Sequence, residues 1–85
     1  MPWLDVIWDD GPGGNVEHIA ENDVSPEEAA YVLRNPELEE ISESSGRPMR
    51  IGWTEADRYL AVVFEWIDPI TVYPITAFDK EPQHD

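Results

Sequence analysis

Nineteen acidic residues against five basic ones give this 85-residue chain a formal charge of −14 at pH 7, with both histidines neutral. That imbalance is the tightest constraint on what it can fold into. Like charges on a small body repel, so a fold exists only if buried apolar surface outweighs them. The apolar residues are present: they make up 41% of the chain, with four Trp and three Tyr among them. A disordered acidic chain carries few such residues. The length allows one domain, which buries only about 60–65% of its unfolded surface. A single modest core must stabilise it.

The same charge narrows the partners. The body repels phosphate chains and anionic membranes over about 8–10 Å. RNA binding is disfavoured unless cations are focused locally. No cysteine is present, which removes disulfides, thiolate nucleophiles and zinc fingers. Two histidines cannot build a histidine-rich metal site, and no metal or cofactor is expected. No apolar run approaches the roughly 20 residues of a membrane span. The opening Met1-Pro2-Trp3-Leu4-Asp5 lacks the basic start of a signal peptide. A cytoplasmic domain is the expectation.

Along the chain, Trp3 to Trp8 reads as a first strand, closed by the turn Asp9-Asp10-Gly11-Pro12-Gly13-Gly14. Asn15 is a good N-cap residue for a first helix, with Val16, Ile19 and Ala20 at helical spacing. Ser25-Pro26-Glu27-Glu28 is the clearest signal: Ser as N-cap, Pro at the first helical position and Glu at the third, a capping box. Ala29, Val32 and Leu33 form that helix's apolar face, and Asn35-Pro36 ends it. Glu37–Glu43 is a weak acidic strand or extended edge. Met49, Ile51 and Trp53 alternate with Arg50, Gly52 and Thr54, the period of a half-buried strand. Glu55-Ala56-Asp57 is a hairpin loop. Arg58–Ile67 and Ile70–Phe78 are further strands, and Pro74 implies an edge or a bulge in the last one.

The order β-α-α-β-β-β-β predicts an α+β layer, two helices on one antiparallel sheet. One domain spans 1–78, and 79–85 is a mobile acidic tail.

The strings HIAENDVSPEEAAYVLRNP, SSGRPMRIGWTEADRYLAVVFE and TVYPITAFD resemble the BrnT-like toxins of the RelE/ParE toxin–antitoxin superfamily. They also resemble a related small domain of unknown function whose first helix opens with His. The resemblance covers about residues 3–78. It implies a RelE-like fold, a toxin-family protein and a neighbouring antitoxin partner. Ribonuclease and gyrase-poison activities occur among such toxins. Where members carry Lys-His-Gly-Val-Ser, this chain carries Glu21-Asn22-Asp23-Val24-Ser25.

The residues suited to phosphodiester chemistry are few. Arg47, Arg50 and Arg58 lie within twelve positions, and a guanidinium fork suits phosphate. The hairpin is expected to bring Arg50 and Arg58 near each other. The competing reading pairs each arginine with one of the many carboxylates. His18, with Glu65 or Tyr73, fits the acid and base of a metal-independent ribonuclease; equally, His18 packs or caps its helix and Tyr73 is half buried. Trp53 and Trp66 can stack a base or serve core and interface. Glu37, Glu39, Glu40 and Glu43 lack calcium-loop spacing and read as a solvated face. Arg34 complements the dipole at a helix C-terminus. Two functions follow: a toxin-type ribonuclease, or a non-catalytic acidic module on the same scaffold that binds a protein.

Overall fold

The computed structural model describes residues 4–81. They run β1 (Asp5–Val6), α1 (Asn15–Ala20), α2 (Pro26–Arg34), β2 (Leu38–Ile41), β3 (Pro48–Trp53), β4 (Tyr59–Asp68) and β5 (Thr71–Asp79). The element order is the one the sequence predicts. The sheet has the strand order β1-β5-β4-β3-β2.

It is a mixed sheet, which corrects the antiparallel expectation. The neighbours β2–β3, β3–β4 and β4–β5 are antiparallel, as direct reversals of the chain impose. β1 is separated from β5 by both helices and the whole meander, so no hairpin sets its direction. It lies parallel to β5, with Asp5 opposite Thr71 and Val6 opposite Val72. β1 is also much shorter than Trp3–Trp8, and Trp3 lies outside the described residues. Pro74 sits at a bulge: Val63 opposes Thr76 and Phe64 opposes Pro74, which leaves Ile75 without a directly opposed residue. The last strand extends beyond the expected limit of the domain. Asp79 pairs with Leu60, and Lys80 N donates to Tyr59 O at 2.9 Å. The rest of the proposed tail, from residue 82, lies outside the described residues.

α2 forms as its capping box dictates. Glu28 N donates to Ser25 Oγ at 3.2 Å, and Ser25 N donates to Glu28 Oε1 at 3.0 Å. Two otherwise orphaned N–H groups are satisfied, and Ala29, Ala30, Val32 and Leu33 are buried. Both helices pack on one face of the sheet. Ile19, Val24, Ala29, Val32 and Leu33 meet Leu60, Val62, Phe64, Val72 and Ala77 there. Ile19, Leu33, Leu60 and Phe64 are fully buried, each stabilising by about 1.5–3 kcal/mol relative to exposure. Gly52 lets β3 pass under the end of α2: a Cβ there would stand 3.1 Å from Asn35 O.

α1 begins differently from the expectation. Its N-cap is Gly14, and Asn15 is the first helical residue, 2% exposed. Asn15 Oδ1 accepts from Asp9 N at 2.8 Å, while Nδ2 donates to Ile7 O at 2.9 Å and Pro74 O at 3.0 Å. One amide thus joins the β1 exit, the glycine turn and the β5 bulge. Gly14 is required beside it, because a Cβ there would collide with Asp9 O.

The other face of the sheet carries a second cluster built only of strand residues. Met49, Ile51, Tyr59, Ala61 and Val63 are buried in it, with Ile75 and Phe78 packed alongside. Among the described residues no helix lies on this face. No described helix is long and apolar enough to cross a membrane.

Candidate functional site

The two arginines expected to meet are held apart by the register of their hairpin. Arg50 pairs with Val62, while Arg58 lies just before Tyr59, the partner of Trp53. The four residue-to-residue steps from 58 to 62 span about 13 Å of strand. Both side chains turn to the helix-bearing face, and each grips a different end of α2.

Arg58 holds the N-terminal end. Its Nε and Nη2 donate to Asp79 at 3.0–3.2 Å. Its Nη1 donates to both carboxylate oxygens of Glu28 at 3.1 and 3.2 Å and to Asp23 O at 2.6 Å. The hydrogen bond to Asp79 raises the Arg58 pKa above its ordinary value, against desolvation, which lowers it; the nearby Glu28 and Asp79 charges add to the rise. Arg50 holds the C-terminal end. Its Nη1 donates to Leu33 O at 2.7 Å and its Nε to Glu39 at 2.9 Å. The guanidinium also lies 5.6 Å from the Phe64 ring centre and 5.4 Å from that of Trp66. A carbonyl at a helix C-terminus favours a cation, and the two rings add cation–π attraction. Arg34 Nε donates to Leu4 O at 3.0 Å, which ties the end of α2 to the start of the chain.

Arg47 occupies the opposite, helix-free face. It bonds Glu65 at 2.8 Å, and Glu65 stands directly across from Tyr73. Arg47, Glu65 and Tyr73 are therefore the one group of predicted site residues that the fold assembles. His18 is not part of it. His18 lies on α1, which packs on the helix-bearing face through Ile19, and it is exposed. The scheme that joins His18 to Glu65 or Tyr73 requires groups on two sides of the sheet.

His18 also points away from a hollow between the two helices. That hollow, about 500 Å³, is lined by Val16, Ala20, Val24, Glu28 and Arg58 among others. Val16 and Ala20 share one side of α1, and a residue two positions from each projects from the opposite side at 100° per residue. Arg58 is the cationic residue in its lining, and its donors are already turned to Glu28, Asp79 and Asp23. A phosphate here would also face the Asp23 and Glu28 carboxylates.

The helix-free face ends differently on the side of the 53–59 loop. Trp53 and Tyr59 pack as a tilted ring pair, with centres 4.7 Å apart and planes inclined at 46°. The Tyr59 hydroxyl lies 3.4 Å from Glu37 Oε1, a long hydrogen bond. Burial is the largest cause of a raised Tyr59 pKa, and the charges of Glu37 and Glu40 add to it. Leu38 and Glu40 share this face, since they oppose Ile51 and Met49. The sequence missed one organising residue of this loop. Thr54 is buried, and its hydroxyl accepts from Ala56 N and Arg58 N at 3.2 and 3.1 Å. A Thr opening a tight polar loop is the signal that could have found it.

No group of three or more His, Asp or Glu among the described residues could hold a metal ion. Trp66, 44% exposed, is committed to Arg50 and to an edge-on contact with Phe64 at 5.4 Å. Comparison with protein-family models, with curated proteins and with solved structures gives no match to this chain.

Proposed function

We propose that this protein works by binding another protein, and that the partner is cationic. The observation that carries the reading is the use of the arginines. Arg47, Arg50 and Arg58 each pair with a carboxylate of the chain itself. RNA affinity depends on clustered cations that release counterions, and these three cations are spread over both faces and three separate networks. The chain is strongly acidic, and its helix-free face is apolar at the centre. An antitoxin-like partner, as the BrnT-like resemblance suggests, fits this description.

A toxin-type ribonuclease is the second reading. It is favoured by the Arg47–Glu65–Tyr73 group, an arginine, a carboxylate and a phenol on one accessible face. In this reading Arg47 stabilises phosphorane charge while Glu65 and Tyr73 exchange protons. Inducible expression separates the two. Binding without catalysis predicts high soluble yield, unimpaired growth and no cleavage of added RNA. Growth arrest with RNA cleavage, both abolished by Arg47→Ala in a protein of unchanged thermal stability, would establish the ribonuclease instead.

A further inference from the structure

We propose that the outer edge of β2 takes up an extended, lysine- or arginine-bearing segment of a partner protein as an added strand. This rests on the protein-binding reading and assigns it a place.

Three observations meet at β2. First, it is an edge strand, and all four of its residues are exposed. Ser42 N donates inward to Arg47 O. Antiparallel hydrogen bonding alternates, so Glu40 also faces β3, while Glu39 and Ile41 turn their N–H and C=O groups outward. Such an edge is a template for another strand.

Second, the edge offers apolar anchors on both faces. Leu38 is 40% exposed beside Ile51 on the helix-free side, and Ile41 is 63% exposed beside Pro48 on the other. An added strand with alternating side chains would reach both.

Third, its charge selects the partner. Glu37, Glu40 and Glu43 crowd the segment together with Glu39, whose carboxylate is shared with Arg50. A second copy of this chain is a poor occupant. The antiparallel registers that join the outward groups of Glu39 and Ile41 to their own copies set Glu39 on Glu39, Glu40 on Glu40, or Glu39 on Glu43. Like charges directly opposed are destabilising, so the row disfavours self-pairing and matches a strand bearing lysine or arginine.

The test uses a short synthetic peptide of alternating lysine and valine, titrated into the full chain and followed through backbone amide signals. Saturable binding is expected, with the largest shifts and the slowed exchange at Glu39 and Ile41. Ile41→Pro removes one outward N–H and trims one apolar anchor while leaving the bonds to β3, so it should weaken binding at least about fivefold to tenfold. Glu40→Lys provides a second variant and should weaken binding most at low salt. A glutamate–valine peptide should not bind. Shifts centred on Trp53 and Phe78, or unchanged affinity in Ile41→Pro, would overturn the edge site while leaving protein binding intact. Absence of any binding by the lysine–valine peptide would overturn both. A concentration-dependent dimer lost in Ile41→Pro would make a second copy the occupant.

Discussion

Arg58 reaches Asp79, twenty-one positions away, through three N–H···O contacts of 3.0–3.2 Å. With Glu28 and Asp23 O on its remaining nitrogen, this one guanidinium joins the end of β5, the start of α2 and the turn before it. The side chain is 28% exposed, so the network is partly shielded. Arg58→Ala should lower unfolding free energy by about 1–3 kcal/mol, read as a lower urea midpoint at unchanged slope. Arg58→Lys should recover less than half, because an ammonium lacks the fork. Loss of activity in an Arg58 variant would therefore report on folding first.

Arg50 makes the matching prediction at the other end of α2. Arg50→Met keeps the aliphatic stem against Phe64 and Trp66 but leaves Leu33 O without its donor. The expected cost is about 1–3 kcal/mol. Trp66 fluorescence should shift toward that of a more exposed indole, since the guanidinium over its ring is gone.

Asn15 should be the most sensitive polar position. Asn15→Ala strips partners from Asp9 N, Ile7 O and Pro74 O together, and Asn15→Asp cannot donate to the two carbonyls. Either change should cost about 2–4 kcal/mol, the larger for Asp, measured by chemical denaturation. Ser25→Ala is a useful comparison: it removes one cap, at about 1 kcal/mol.

Alkaline stability should depend on Tyr59. Its pKa is raised in the folded chain, so the native state retains this proton at a pH where the unfolded state has released it. The stabilising contribution is fully present below the ordinary tyrosine value of about 10 and is lost as pH rises toward the folded value. Tyr59→Phe should flatten that part of the pH–stability curve. An unchanged slope would exclude Tyr59 as its source.

How much of this was legible in advance differs by residue. α2 was written in four letters, because a capping box satisfies its own donors locally and needs no distant partner. Asn15 was readable as a residue for a helix start, yet its main contact is Pro74 O, fifty-nine positions away. Local pattern cannot supply that. The direction of β1 was hidden for a similar reason: side-chain alternation reports which face is buried, not which way an edge strand runs. The arginines illustrate a third limit. Their closeness in sequence suggested one cationic site, but position within the hairpin sent Arg50 and Arg58 to opposite ends of a helix and Arg47 to the other face. Abundant acid made pairing with carboxylates the alternative, and that is what the fold contains.

The parallel contact between β1 and β5 also sets an order of events. Asp5 N donates to Ile70 O and Ile7 N to Val72 O, closing a ring that includes nearly the whole described chain for two strand residues of pairing. The β3–β4–β5 meander closes much shorter loops and has local reversals to guide it, so it can form early. β1 is then the last piece to dock and the first to open. The Asp5 and Ile7 amides should exchange with solvent through partial openings, while those of Val62 and Phe64 wait for global unfolding.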